Sequence, residues 1–208
     1  MAVILCYGDS NTHGTKPVAV PGVSERYDPG DRWPDAMAAA LGTAHQVISE
    51  GLPGRTTVHE DVIEGGMRNG LAVLPAILHS HKPIDLMVLM LGTNDLKGRF
   101  SVTGYEISRS LERLVLAARA EGVVARIVLV APPPVRECGT LVDVYAGAEA
   151  RQIGMTDHIR NAAQRLGCGF VDAGETVCVS EEDGVHWTAE AHRQFGAVMA
   201  RAVQAYLP

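Results

Sequence analysis

Five short apolar stretches recur along the chain, separated by segments with helical patterns, and this alternation most restricts the fold. The apolar stretches cover residues 3–7, 46–49, 85–91, 126–131 and 169–171. Such runs are typical of strands buried on both faces of a sheet. The helical patterns fall at 33–41, 69–79, 105–121, 157–166 and 188–206. The sequence therefore predicts an α/β fold, a three-layer α/β/α sandwich around a five-stranded parallel sheet.

Local signals set several expected boundaries within this pattern. Gly42 and Gly122 follow two of the helical segments and are expected to end them. Thr188 is a candidate N-cap for the last helix, and Pro75 is expected to disturb the segment in which it lies. Two stretches fit neither pattern, 15–32 and 132–155, and we expect a long loop and a loop with a short helix. Long loops in compact domains are often functional.

Length, charge and cysteine content exclude several classes of protein. A chain of 208 residues is expected to form a single domain, residues 1–208. Its net charge of −6 argues against nucleic acid or an anionic membrane surface as partner. No stretch approaches the ~20 apolar residues of a membrane helix. The four cysteines form no C-x-x-C pair, and a cytoplasmic location is expected.

Polar, glycine-containing segments follow the first three predicted strands. They are Gly-Asp-Ser-Asn at 8–11, Glu-Gly-Leu-Pro-Gly-Arg-Thr at 50–56 and Gly-Thr-Asn-Asp at 92–95. A fourth segment, Asp-Gly-Val-His at 183–186, precedes the last helix. Ligands of parallel α/β sheets bind beyond the carboxyl ends of the strands. We therefore expect the four segments to meet at one edge.

These segments contain the groups required for acyl transfer. A serine hydroxyl needs an adjacent base, for which His186 is the candidate, with Ser10 as the nucleophile. Asp183, three residues before His186, is placed to orient the imidazole. Three groups are candidate donors to the oxyanion of a tetrahedral intermediate: the backbone amides of Ser10 and Gly54 and the side-chain amide of Asn94. Gly51 is an alternative to Gly54.

The four segments, in this order, resemble those of the SGNH hydrolase superfamily, also called GDSL esterases. The matching residues are Ser10, Gly54, Asn94 and the pair Asp183 and His186. The resemblance implies a flavodoxin-like sheet and ester hydrolysis by a Ser/His/Asp triad. One departure is the residue after Ser10, where Asn11 replaces the leucine of the GDSL motif.

Within that superfamily the chain looks most similar to the bacterial arylesterase and acyltransferase group, which includes carbohydrate acetyl esterases and perhydrolases. The similarity lies in Glu-Arg-Tyr-Asp-Pro at 25–29, in Arg32 and Trp33, in 50–57 and in 90–95. It implies short-chain ester substrates, a possible acyl-transfer side activity and a homo-oligomer. A lipase or thioesterase for longer chains, or a catalytically silent binding module, are the alternatives.

The remaining candidate residues have structural alternatives. Asn11 and Trp187 are candidate substrate-pocket residues because each adjoins a proposed catalytic residue, although Trp187 could equally pack against the last helix. Asp9 and Asp95 are expected to brace their loops, and Arg55 to bond loop carbonyls or carboxylates. No metal-binding or nucleotide-binding motif occurs, so neither a metal nor a cofactor is expected.

Overall fold

A computed structural model describes residues 1–207 and contains all five predicted strands. All the strands run parallel, in the order β2-β1-β3-β4-β5. Their bounds are β1 Ala2–Gly8, β2 His45–Gly51, β3 Ile84–Met90, β4 Val124–Ala131 and β5 Gly169–Asp172. This is the flavodoxin-like strand order, and it confirms the predicted fold class.

Helices cover both faces of the sheet. Their bounds are α1 Ser10–His13, α2 Trp33–Leu41, α3 Gly70–His81, α4 Gly104–Ala120, α5 Ala148–Arg151, α6 Met155–Leu166 and α7 Ala189–Gln204. Helices α2 and α7 pack on one face with Ile4, Leu86 and Val128 of the strands. Helices α3, α4 and α6 pack on the other face, against side chains such as Leu5 and Met87. Alternate residues of each strand thus face opposite helical layers. No helix within residues 1–207 has the length and apolar character needed to cross a bilayer.

The predicted helix boundaries hold at most positions. The Thr188 side chain accepts a hydrogen bond from the Ala191 amide, which confirms it as the N-cap of α7. The expected disturbance at Pro75 is wrong, because α3 continues through this residue to His81. Pro75 is the sixth of the twelve residues of α3, and a proline inside a helix removes one backbone hydrogen bond and crowds a carbonyl of the preceding turn. Leu74 and Leu78, both fully buried, anchor the helix on the sheet.

Strand register places three of the four polar segments at one edge. Gly8, the last residue of β1, lies level with Gly51 of β2 and with Met90 of β3. The segments that follow these three strands therefore begin side by side. The stretch 15–32 is a loop as far as α2, with one isolated bridge between Thr15 and Arg26. The stretch 132–155 contains a 3-10 turn at Gly139–Leu141 and the short helix α5.

Candidate active site

Ser10 is the first residue of α1, directly beyond the end of β1. The preceding Asp9 caps this helix, since its Oδ1 accepts a hydrogen bond from the Asn11 amide at 3.0 Å. Gly51 permits the close approach of α1, because a Cβ there would lie 2.1 Å from the His13 backbone nitrogen. Asp9 thus braces the segment that carries Ser10, as the sequence predicted.

His186 and Asp183 complete a hydrogen-bonded relay with Ser10. The Nε2 atom of His186 lies 3.0 Å from Ser10 Oγ. Its Nδ1 atom lies 2.5 Å from Asp183 Oδ2. All three side chains are buried, and Ser10 keeps 4% of its surface exposed. The structure therefore brings together three residues that are up to 176 positions apart in the chain.

The surroundings of Asp183 favour its ionised form. Burial raises the pKa of Asp183, but hydrogen bonds from the His186 side chain and amide and from the Val18 amide lower it, and so does the charge of the imidazolium. The net pKa lies below its ordinary value. Asp183 also accepts a hydrogen bond from the Val185 amide at 2.9 Å. A carboxylate held in this way keeps a proton on the Nδ1 atom of His186 and leaves Nε2 free to accept one.

The three residues that carry the candidate oxyanion donors, Ser10, Gly54 and Asn94, line one cavity. The Asn94 side chain and Gly54 both line it, together with Ser10 and His186. Within residues 1–207, neither the Ser10 amide nor the Gly54 amide donates a backbone hydrogen bond. Gly54 has a φ angle of 77°, a conformation that favours glycine. Gly51 is the last residue of β2 and packs on α1, so Gly54 is the better placed of the two candidate glycines.

Two charged residues fasten the loops around the site. The Arg55 guanidinium donates to the carbonyl oxygen of Gly8 at 2.8 Å and also to that of Glu50. Asp95 accepts hydrogen bonds from the amide and hydroxyl of Thr57. Both observations agree with the bracing roles predicted from sequence. Burial raises the pKa of Asp95, because these neutral donors only partly replace its hydration.

The cavity beside Ser10 has a volume of ≈ 340 Å³. Both long loops, 15–32 and 132–155, contribute to its walls. Their apolar contributions are Val18, Val23, Leu141 and Val144. Glu64 and Lys97 add a charged pair on the side of Gly54. The volume is near the lower end of the range for ligand-binding pockets, roughly 300–1,000 Å³.

Asn11 and Trp187 do not line this cavity, which corrects their prediction as pocket residues. The Asn11 side chain turns back to donate to the Val185 carbonyl at 3.2 Å. Trp187 is fully buried in the core and packs edge-on against Phe195, with ring centroids 5.2 Å apart. Trp187 therefore fixes α7 to the sheet, which was the structural alternative considered for it.

Several residues that no sequence motif indicates also shape the site. Lys97 is almost fully buried and forms ion pairs with Asp61, at 3.1 Å, and with Glu64. Tyr145 is buried, and its hydroxyl lies 3.3 Å from Asn94 Oδ1. The Val18 amide donates to Asp183 Oδ2 at 2.7 Å. Tyr145 and Val18 lie in the two long loops, and no motif singles out either residue.

Comparison with known proteins identifies the family. The model of the GDSL-like Lipase/Acylhydrolase family matches residues 6–194. A search of curated proteins found no match. The chain belongs to the GDSL-like Lipase/Acylhydrolase family and is a carboxylic ester hydrolase.

Solved structures of similar proteins extend over the whole chain. An aryl esterase from M. smegmatis is 32% identical, with a TM-score of 0.94 and 100% of each chain covered. A carbohydrate acetylesterase from Sinorhizobium meliloti is 34% identical, with a TM-score of 0.93 and 99% of each chain covered. A carbohydrate acetylesterase family member from the same organism is 37% identical, with a TM-score of 0.94, and the match covers 100% of this chain and 99% of the other.

Proposed function

We propose that this protein, as a single domain, hydrolyses short-chain carboxylic esters, such as acetates of aryl alcohols or sugars. Ser10, Asp183 and His186 would be its catalytic triad. The observation that carries this proposal is the continuous relay from Ser10 Oγ through His186 to Asp183 at a small cavity. The names of the similar aryl esterase and carbohydrate acetylesterases support the same class of substrate.

The geometry supports a two-step mechanism. His186 Nε2 takes the proton of Ser10 Oγ while this oxygen attacks the ester carbonyl. The amides of Ser10 and Gly54 and the side chain of Asn94 donate to the resulting oxyanion. The tetrahedral intermediate collapses, and the alcohol leaves with the proton from His186. Water, deprotonated by His186, then attacks the acyl-serine, and the second tetrahedral intermediate collapses to release the acid while His186 returns the proton to Ser10 Oγ. Another alcohol or a peroxide competing with water at this second step would give the acyl-transfer side activity.

We expect an acyl-length series of p-nitrophenyl esters to give its highest kcat/KM at acetate or propionate. The cavity lies near the lower end of ligand-pocket volumes, and for this reason we expect its apolar side chains to favour a short acyl chain. The series should extend from acetate to laurate, with Ser10→Ala protein as the blank for each ester. A maximum at decanoate or beyond would contradict the short-chain proposal and favour the lipase or thioesterase alternative. Phenyl acetate and acetylated xylose, compared in the same way, distinguish the two classes of alcohol.

We also propose that the protein is a homo-oligomer. Five large apolar side chains near the cavity mouth are more than half exposed. Val20 and Val23 belong to the loop 15–32, and Val62, Ile63 and Met67 belong to the loop between β2 and α3. Exposed apolar clusters of this kind often mark contact surfaces between proteins. Light scattering should give a mass of at least twice 22.1 kDa. A single species at 22.1 kDa would contradict the proposal, and Ile63→Glu is expected to dissociate the assembly.

A cytoplasmic location remains part of the proposal. All four cysteines are free thiols, and Cys6 is buried between the sheet and its helical layer. Free thiols suit a reducing compartment. Fractionation of the native host cells would test this, and recovery of the protein mainly outside the cytoplasm would contradict it.

A further inference from the structure

One buried polar contact beside the oxyanion donors is not used by the mechanism described above. The Tyr145 side chain is 2% exposed, and its hydroxyl oxygen lies 3.3 Å from Asn94 Oδ1. Tyr145 comes from the stretch 132–155, whereas Asn94 opens the 3-10 turn Asn94–Leu96 after β3. The contact therefore joins two distant parts of the chain at the proposed site.

The hydrogen bonds of Asn94 fix the orientation of its amide. Asn94 Nδ2 donates to the carbonyl oxygen of Arg55 at 3.1 Å. A backbone carbonyl can only accept, so the nitrogen end of the amide must face Arg55. The oxygen end then faces Tyr145, whose hydroxyl donates to it. One hydrogen of Nδ2 remains, and Asn94 lines the cavity into which Ser10 also projects.

Two further hydrogen bonds hold the Tyr145 segment against the Asn94 segment. The Gly98 amide donates to the Val144 carbonyl at 2.9 Å. The Arg151 guanidinium of α5 donates to the Leu96 carbonyl. These contacts connect the residues directly after Asn94 with those on both sides of Tyr145. The position of the tyrosine hydroxyl is thus determined by its backbone as well as by its buried ring.

The surroundings of Tyr145 preserve its proton. Burial raises the pKa of Tyr145 well above its ordinary value, and the carboxylates of Asp9, Glu64, Asp183 and Asp95 raise it further. The hydroxyl therefore remains a donor across the pH range in which such an esterase operates.

We propose that Tyr145 is a positioning residue for the oxyanion hole, acting through Asn94. By donating to Asn94 Oδ1, the hydroxyl holds the amide in the orientation that presents Nδ2 to the oxyanion. It also polarises the amide, since linked hydrogen bonds strengthen one another. Resting hydrogen bonds at catalytic sites are often long and shorten in the transition state. This inference rests on the proposed function, because it assigns Tyr145 to the same reaction.

The test is Tyr145→Phe, which keeps the buried ring and removes only the hydroxyl. We expect kcat for p-nitrophenyl acetate to fall about five- to tenfold, as for loss of one hydrogen bond, while KM stays within about twofold. In an Asn94→Ala background the same substitution should change kcat less than about twofold, because its target is gone. Tyr105→Phe, at an exposed position on α4, is the matched control and should have no effect.

The possible outcomes separate the inference from its alternatives. An unchanged kcat in Tyr145→Phe, or an equal fall with and without Asn94, would overturn it. An alkylboronic acid forms a tetrahedral adduct on serine. If Tyr145→Phe lowers the melting temperature, we measure the affinity for this boronic acid well below that temperature. A weaker boronate affinity with unchanged KM supports the inference, and an unchanged affinity contradicts it. Inactive wild-type protein on all esters would overturn the proposed function itself.

Discussion

Replacing Ser10 by alanine is expected to lower kcat toward a chromogenic aryl acetate by at least ~10⁴-fold. The substitution removes the hydroxyl oxygen that lies 3.0 Å from His186 Nε2 and with it the acyl-enzyme route. The cavity and the amide donors remain, so a small residual rate above that of water is expected. The measurement is steady-state hydrolysis of p-nitrophenyl acetate.

Ser80→Ala is a matched control for this substitution. The Ser80 hydroxyl donates to the Ala76 carbonyl on the exposed side of α3, away from the cavity. We expect the Ser80→Ala variant to have the same kcat as wild-type protein. Similar rates for wild-type protein and Ser10→Ala would show that the hydrolysis proceeds at another group and would refute Ser10 as the nucleophile.

Asp183→Asn is expected to lower kcat by about 10⁴-fold with little change in KM. Both carboxylate oxygens of Asp183 accept hydrogen bonds, Oδ1 from the amides of Val185 and His186 and Oδ2 from the Val18 amide and His186 Nδ1. An asparagine amide has only one oxygen, so its NH₂ group must face some of these donors. If the NH₂ group faces the imidazole, the proton moves to Nε2, and the ring can no longer accept the proton of Ser10.

The free energy of unfolding, measured as a function of pH, provides a second test of the role of Asp183. Because the pKa of Asp183 lies below its ordinary value, the wild-type carboxylate stays ionised throughout the neutral and mildly acidic range. A depressed folded-state pKa gives stability that is present above the unfolded value, about 3.9, and is lost as pH falls through the folded value. The Asp183→Asn variant has no carboxylate at this position. Its free energy of unfolding should therefore lack the part that wild-type protein loses as pH falls. Asp157→Asn, at an exposed position on α6, serves as the control for both the pH dependence and kcat. Equal losses of kcat in Asp183→Asn and Asp157→Asn would contradict the proposed role of Asp183.

The sheet and the relay were predictable because each depends on local sequence signals. Apolar runs define the strands, and the polar segments lie directly beyond the ends of three of them, so parallel pairing places Ser10 near Asn94. The D-x-x-H spacing places Asp183 beside His186 on one loop. Predictions from these signals do not depend on the conformation of the two long loops.

The contacts that the sequence did not reveal depend on the paths of the long loops. Tyr145 reaches Asn94, and Val18 reaches Asp183, across 51 and 165 positions of the chain. No periodic pattern reports such contacts. Trp187 adjoins His186 in sequence, but its side chain enters the core between α7 and the sheet. Pro75 was overestimated as a helix breaker because tertiary packing of Leu74 and Leu78 outweighs one missing hydrogen bond.

The central claim, that Ser10 is the nucleophile of this ester hydrolase, is tested most directly by covalent labelling. Folded protein is treated with a p-nitrophenyl alkylphosphonate, whose phosphorus is attacked by an activated serine with loss of p-nitrophenolate. Intact-mass and peptide mass spectrometry should show one adduct per chain, on Ser10, together with loss of esterase activity. No adduct in active protein, or an adduct on any other residue with Ser10 unmodified, would contradict the assignment.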